Sequence, residues 1–526
     1  MSRELAAPAI LLAAAAAILS AVLSQNGGVL AYALDDAYIH LALSEQIAQG
    51  HYGLAAAAPS SPASSILYPF LLAPFAAFPF HAWAPLVINA LALAATAVVL
   101  SRLLAEAEIG GGDAVGLRAA MSVVIIAAVH GVGLVFSGME HSLQMLLAVA
   151  VLYGLVIEAR RGVPPSFLWV VIAVGPLVRY EALAPSLAAV AVLALRGHVR
   201  VAIQGAVGAL APVVAFSGFL VSEGLPALPS SVLHKSLLGR AEGPADWPGL
   251  MIDNATSWGS VSSGPMVLLG CMTLASLLLV MPSGSERRSP LSLVAFGWAC
   301  VLAHLAVGSF GWFQRYEAYV LVLAVTIASL AVAPFLKLER RVSGRWALVA
   351  WSVAVLALCH DYVGETLRAP SACHNIYEQQ YQMHRFAVDF WKDDVAVNDI
   401  GWVSYRNPFG VLDLTGLASE AVRRKQVATA RGATTRRQWV PELIDDTGIG
   451  LAMVADPAGP RDYWDLRARL ELGGPRVTSF LSSVSFYATD PARRRSLDAK
   501  LDAFEQTLPG EVRLVRPARE PRRPGG

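Results

Sequence analysis

A polytopic α-helical membrane domain followed by a small α/β domain is the fold class this sequence predicts. Three observations predict it. The chain of 526 residues is 55% hydrophobic and only 15% charged, where a soluble protein carries about 25% charge. Its mean hydropathy is +0.53. The charge is also segregated. Residues 1–360 are apolar with short charged loops, 361–510 are rich in Asp, Arg, Gln and Tyr, and 511–526 read as a disordered basic tail with Arg513, Arg516, Arg519, Arg522, Arg523 and three prolines. The net charge of +1 gives no sign of a nucleic-acid partner. The partner that the composition does indicate is a lipid bilayer.

A membrane span needs about 20 apolar residues. Candidate spans are 7–24, 84–104, 118–136, 141–159, 200–222, 264–282, 290–309, 316–336 and 346–360. Residues 65–80 are apolar but carry Pro69, Pro74 and Pro79, and read as a re-entrant or interfacial segment. Residues 166–195 are interrupted by Pro176, Arg179 and Glu181. They read as two half-helices, 166–178 and 182–195, meeting at Arg179-Tyr180-Glu181. With Arg3 in the cytosol, Arg102 and Arg118, Arg160 and Arg161, Arg196 and Arg200, Arg287 and Arg288, and Lys337, Arg340, Arg341 and Arg345 all fall on the cytosolic side. The expectation is about eleven transmembrane helices plus interfacial helices, N-terminus inside and the α/β domain extracytoplasmic. The first run reads as a retained span, with a cleaved signal peptide as the alternative. Cys271 and Cys300 lie in apolar runs. Cys359 and Cys373 flank the start of the external domain and could pair if it is exported.

The external side then collects the charged residues of interest. Asp35 and Asp36 follow the first span. An amphipathic interfacial helix comes next, with Ile39, Leu43 and Ile47 on one face and His40, Ser44, Glu45 and Gln49 elsewhere. One Asp would suffice for a helix cap. Two adjacent acids suit general-base chemistry or a divalent cation held by oxygen ligands. Glu140, with His141 beside it, Arg179, Glu181, His234, Lys235 and Arg315 share that side, and charges at membrane depth are costly and rarely idle. Lys and Arg side chains suit a phosphate. The structural alternatives are a cap for Glu140, an ion pair closing the helix break for Arg179 and Glu181, a solvated loop for Lys235, and an aromatic belt for Arg315. Beyond 361 the pattern predicts a helix over 377–391, strands within 395–405, 410–419 and 450–456, a hairpin over 477–490 and a helix over 494–507. There is no internal repeat, no zinc-spaced Cys/His cluster and no Gly-rich phosphate loop.

Taken in order, the acid pair, Gly138-Met139-Glu140, Arg179-Tyr180-Glu181, LPSSVLHK (228–235), NDIG (398–401) and DLTGL (413–417) resemble the GT-C superfamily of integral-membrane glycosyltransferases. That superfamily includes protein O-mannosyltransferases, the lipid A aminoarabinose transferase and the mycobacterial arabinofuranosyltransferases. Tyr180 stands where the pattern has Pro, and Ser230-Ser231 where it has Asn-Thr. The resemblance implies an inverting transfer of a sugar, arabinofuranose or another pentose or hexose, from a polyprenyl-phosphate donor. The acceptor would be an envelope glycan or lipid on the outer face of the bacterial cytoplasmic membrane. It implies Asp36 as base, with Asp35 orienting it or sharing a divalent cation (Mg, Mn or Ca). It also implies Lys235, His234, Arg179 and Arg315 at the donor phosphate, and Glu140, Glu181, Tyr38 and His40 at the substrates. Asp399 and Asp413 are either acceptor contacts or structural turn residues. A transporter or flippase of lipid-linked sugars, and a non-catalytic envelope scaffold, are the alternatives.

Overall fold

The computed structural model describes residues 5–55, 58–110, 114–235, 244–257, 262–280, 290–335, 343–430, 433–455 and 464–517. The chain divides into two compact units: Met1–Ala21 with Ala63–Ala369, and Val22–Pro62 with Pro370–Gly526. The sequence places boundaries at 360 and 510. The structure differs by joining residues 22–62 to the C-terminal unit.

The first unit is helical. Five helices among the described residues are long and apolar enough to cross a membrane: Ala6–Gln25, His81–Glu106, His141–Arg161, Val199–Ser222 and Ala318–Phe335. Gly344–Leu358 and His360–Leu367 form a sixth candidate, bent by 76° at the junction. Shorter apolar helices occupy Val115–Ala128, Phe167–Val178, Tyr180–Leu195, Gly264–Leu278 and Leu291–Val307. The chain is a multi-pass membrane protein. The expected total of about eleven spans includes these shorter helices. Residues 65–80 form only brief turns, Tyr68–Leu72 and Ala73–Phe75 among them.

Burial sorts the helices. The apolar cores of His141–Arg161 and Ala318–Phe335 are each 72% buried, against 22% for Val199–Ser222. On that last helix Ile203, Val207 and Val214 point outward. Such a surface would be costly in water and costs nothing against lipid tails, which are as apolar as the side chains. Close packing uses small residues. A Cβ on Gly208 would stand 2.9 Å from Ala173, so glycine lets Val199–Ser222 seat directly on Phe167–Val178.

The second unit is an α/β domain. Its strands are β1 (Val395–Val397), β2 (Val411–Asp413), β3 (Leu451–Val454), β4 (Asp465–Glu471), β5 (Ser483–Ala488) and β6 (Arg513–Val515). The sheet order is β2-β1-β3-β5-β4-β6. β1 runs parallel to β2 and β3, while β3–β5, β4–β5 and β4–β6 are antiparallel. Alternate residues serve two cores. Val395, Val397, Leu451 and Met453 pack with Met383, Phe386, Leu497, Leu501 and Phe504. Ala396, Ala452 and Val454 pack with Val422, Trp439 and Ile444. Helices Glu420–Ala430 and Arg436–Thr447 supply that second layer.

Several elements differ from the sequence pattern. The expected hairpin over 477–490 is one strand, β5, and its partner is β4 (DLRARLE), whose charged residues and lone Ala468 disguise the alternation. Arg513–Val515, inside the expected disordered tail, is an edge strand because Leu514 fills the core beside Leu470. Residues from 518 onward lie outside the described residues. The acid-pair helix, Asp36–Ala48, exists, yet Ala37 through Ser44 are all buried. It is therefore enclosed along its first two turns and has no single apolar face. Its Ile39 belongs to the core of the α/β sheet, which explains why 22–62 travels with the C-terminal unit. All four cysteines are buried and free, so Cys359 and Cys373 do not pair.

Candidate active site

In the first unit the charged residues organise around Arg179. The helix Phe167–Val178 ends there, and Arg179 is extended (φ −153°, ψ 140°) before the turn Tyr180–Ala182. This break frees its guanidinium from the helix surface. Nε and Nη2 donate to the two oxygens of Glu181 at 3.1 and 2.6 Å, a bidentate fork. Nη1 donates to Glu140 Oε1 at 2.7 Å. Glu140 is fully buried, and its Oε1 also accepts from the Ser64 hydroxyl at 2.8 Å. Gly138 takes a left-handed conformation (φ +67°) just before it, turning Glu140 inward at the start of His141–Arg161. One buried cation is thus shared between two carboxylates, which offsets the cost of removing Arg179 and Glu140 from water.

Arg315 joins this group through Tyr316. Its Nη2 donates to the Tyr316 hydroxyl at 2.8 Å and its Nη1 to Met139 Sδ at 3.1 Å. The guanidinium carbons of Arg315 and Arg179 lie 4.7 and 5.8 Å from the Tyr316 ring centre, within cation–π range. The approach to Arg315 is unusual. Gly311, Trp312, Phe313 and Gln314 are all left-handed, with φ of 78°, 46°, 68° and 49°. Three consecutive non-glycine residues in that region carry real strain, roughly 1–2 kcal/mol each. Glu317 closes the turn. Both its oxygens accept from Gly311 N at 3.2 Å, and Oε1 also accepts from the Tyr362 hydroxyl at 3.0 Å.

Beside this group lies a cavity of ≈ 600 Å³. Arg179, Glu181 and Tyr316 stand in its wall with His304 and Trp247, and most of the remaining lining is Leu, Val and Ala. Glu140 does not line it; it holds Arg179 from behind. Sequence reasoning missed Ser64, Tyr316 and His304. Tyr316 was visible as an aromatic next to Arg315, but a lone Ser or His in an apolar run carries no signal. His234 and Lys235 end the short helix Ser230–Lys235, and their side chains lie outside the described residues.

Asp35, Asp36, Tyr38 and His40 belong to the second unit. Asp35 does not cap the helix it precedes. Its Oδ2 accepts from Gly401 N at 2.7 Å and its Oδ1 from Trp402 N at 2.8 Å. Gly401 is required there, since a Cβ would collide with the Asp35 carbonyl oxygen. The NDIG segment is therefore the receptor for the first acid. Tyr38 stacks on Trp402 with ring centres 3.9 Å apart, and its hydroxyl accepts from Tyr32 N at 3.1 Å. His40 is buried. Asp35 is only partly buried by area, but its carboxylate points inward onto these amides. Burial, then the nearby Asp399, pushes its pKa up to about 8, against the two amides that favour its ionised form; Asp36 adds a smaller upward push. Asp399 is likewise raised by burial, with Asp36 and Asp413 adding to it, while the Gln380 amide, 2.9 Å away, opposes. Asp413 accepts from Thr415 N, Thr415 Oγ1 and Ala418 N at 2.6–2.7 Å, the contacts of a turn residue.

Oxygen donors such as Asp35, Asp36 and Asp399 suit a hard divalent cation in kind. Their carboxylates do not converge as a three-ligand set. Among the described residues, the group that does is His374, Glu378 and Glu511.

No curated protein matches the chain. A family model described as a domain of unknown function (DUF8728) matches residues 374–490. Among solved structures, the chain is similar to arabinofuranosyltransferase AftD from Mycobacteria, at 16% identity and a TM-score of 0.44, covering 93% of this chain and 42% of that one. It thus spans less than half the length of AftD. It is also similar to ArnT from Cupriavidus metallidurans bound to undecaprenyl phosphate, at 12% identity and a TM-score of 0.50, covering 92% of this chain and 98% of ArnT. That likeness runs over nearly the whole of both chains, and with it the helical unit and its α/β partner are identified as a GT-C fold.

Proposed function

We propose that the protein is an inverting glycosyltransferase that moves a sugar from a polyprenyl-phosphate donor to an envelope glycan or lipid. The observation that carries this reading is the cavity of the helical unit: apolar over most of its wall, with Arg179 at one place in it. A long hydrocarbon tail ending in a phosphate has that same division of character. ArnT, which shares the fold, was solved with undecaprenyl phosphate.

In this reading the lipid tail lies in the apolar part of the cavity and the phosphate meets Arg179. Three of the five guanidinium N–H groups are engaged with Glu140 and Glu181. Glu181, the more exposed of the two carboxylates, gives up its fork when the phosphate arrives. Arg315, His234 and Lys235 add positive charge for the leaving phosphate. The reaction forms one bond, from acceptor oxygen to anomeric carbon, and breaks one, from that carbon to the phosphate oxygen. The electron pair leaves with the lipid phosphate, and the acceptor proton passes to Asp36. What favours Asp36 over Asp35 is that both Asp35 oxygens already accept backbone amides. A divalent cation (Mg, Mn or Ca) at the acid pair would damp the mutual repulsion of the acids; the steps above are assigned to the protein's own groups. Tyr38 and His40 support the acid pair from the helix that follows it. The donor sugar is a pentose or hexose, arabinofuranose being the one the motifs point to. The membrane is the bacterial cytoplasmic membrane, with the N-terminus cytosolic and the α/β unit periplasmic.

The test is transfer from a synthetic polyprenyl-phosphate sugar by purified protein in lipid nanodiscs. Asp36→Asn should lower the rate by at least about 100-fold without moving the unfolding midpoint. Full transfer by a folded Asp36→Asn variant overturns the reading. The broken helix at Arg179 also suits a flippase, and flipping of the lipid-linked sugar in proteoliposomes without transfer would favour that alternative.

A further inference from the structure

The α/β unit holds a second cluster of chemistry-bearing side chains that the transfer reaction does not use. His374 and Glu378 stand one helical turn apart across Ala369–Ile376 and the π-helical turn Tyr377–Tyr381. Glu511 comes from the loop just before β6. His374 Nε2 is 3.5 Å from Glu378 Oε1 and 3.3 Å from Glu511 Oε2. Two ligands bound about 2.1 Å from one tetrahedral ion stand about 3.4 Å apart. Both distances from His374 Nε2 match that spacing, and the ligand atoms of all three side chains lie within 4.8 Å of one another.

Three further observations point to a bound cation. Glu378 is fully buried, and its Oε2 has no hydrogen-bond partner; an ionised oxygen so placed is costly without a positive charge beside it. His374 Nδ1 lies 2.8 Å from Asn26 Oδ1. That oxygen can only accept, so Nδ1 carries the proton and Nε2 is turned toward the two carboxylates. Fixing one ring nitrogen by an outer hydrogen bond is how metal-binding histidines are oriented. The site is also built by its backbone. Glu378 Oε1 accepts from Gly473 N at 3.0 Å. A Cβ on Gly473 would stand 2.5 Å from the Glu511 carbonyl oxygen and 2.6 Å from Glu511 Cβ, so glycine is what lets the Glu511 loop close on the helix.

We propose that His374, Glu378 and Glu511 bind one divalent transition-metal ion of the zinc class, which staples the β6 loop to the helical segment that carries His374 and Glu378. One imidazole with two carboxylates selects such an ion over Mg²⁺ or Ca²⁺, which prefer all-oxygen shells. Three protein ligands leave one position for water.

The experiment uses the full-length protein without a histidine tag, stripped with chelator in detergent and titrated with ZnCl₂. Bound metal is read by elemental analysis and calorimetry, and the thermal midpoint is followed in parallel. The expected result is one high-affinity Zn²⁺ per chain and a raised midpoint. His374→Asn and Glu378→Gln, which keep size and polarity, should each weaken binding at least 10-fold and abolish the rise. Two variants guard against a single misfolded protein, and neither is expected to change transfer from the lipid donor directly. Equal Zn²⁺ binding by wild type and both variants, or no binding by wild type at 100 µM Zn²⁺, a concentration on the order of 10 times a weak 10 µM site, overturns the proposal. Preference for Ca²⁺ over Zn²⁺ overturns the assignment of the ion.

Discussion

Two buried charge sites, one in each unit, are held in opposite ways. In the helical unit, Arg179 lies between Glu140 and Glu181, and each carboxylate receives N–H bonds from a guanidinium. In the α/β unit, Asp35 and Asp399 are held by neutral amides, from Gly401 and Trp402 and from Gln380. An ion pair fixes charge in place at little gain in stability. Acids held by dipoles stay poised, because the proton affinity that burial raises is the quantity a proton-transfer step uses. The first arrangement suits a fixed electrostatic contact; the second keeps Asp35, the neighbour of the proposed base Asp36, responsive to pH.

Removing the cation from the first arrangement should have the largest effect. Arg179→Met leaves Glu140 and Glu181 without the cation they share, at a cost of about 3–5 kcal/mol, read as a large drop in the unfolding midpoint of detergent-solubilised protein. An unchanged midpoint would break the contrast between the units. Next comes Asp35→Asn. Its NH₂ group cannot accept from one of the two amides it must face, so that donor is orphaned at about 1–3 kcal/mol. Hydrogen exchange at Gly401 and Trp402 should speed up by roughly 10- to 100-fold, with little change near Arg179.

A third and smaller effect is in pH. The folded pKa of Asp35 is about 8, above its ordinary 3.8, so the folded chain holds this proton more tightly than the unfolded one. Stability contributed by this group is highest below pH 4 and falls as pH rises toward 8. The thermal midpoint of the wild type should decline between pH 5 and pH 8 more steeply than that of Asp35→Asn. Equal slopes would assign the acids another source of balance. The smallest effect belongs to an exposed pair: Arg424, 70% exposed beside Glu420, should cost within about 0.5 kcal/mol when changed to Ala.

Much of this was legible in the residues, and the exceptions have physical causes. The break at Arg179-Tyr180-Glu181 was readable because proline and charge cannot continue an apolar helix without compensation. That 65–80 forms only short helical pieces was readable from its three prolines. The acid-pair helix was misread as amphipathic because periodicity reports only which residues are apolar. It does not report that His40 and Ser44 would also be enclosed. β4 escaped notice because Arg467, Arg469 and Glu471 sit on its more exposed face beside only two buried residues, Ala468 and Leu470. The hold of Gly401 on Asp35 could be suspected only from the co-occurrence of two short motifs, since no local pattern spans the distance between them. The His374 cluster was invisible for the same reason: its third ligand lies beyond the last helix.

That distance also sets an order of events during synthesis. Asp35 meets its amide partners 366 and 367 residues later in the chain. At a translation rate of about 5–20 residues per second, the first acid waits roughly 20–70 s for the residues that will hold it. Throughout that interval the bundle is being inserted span by span, while residues 22–62 have no finished sheet to join. A polypeptide that stalls before residue 402 would lack the amides that hold Asp35.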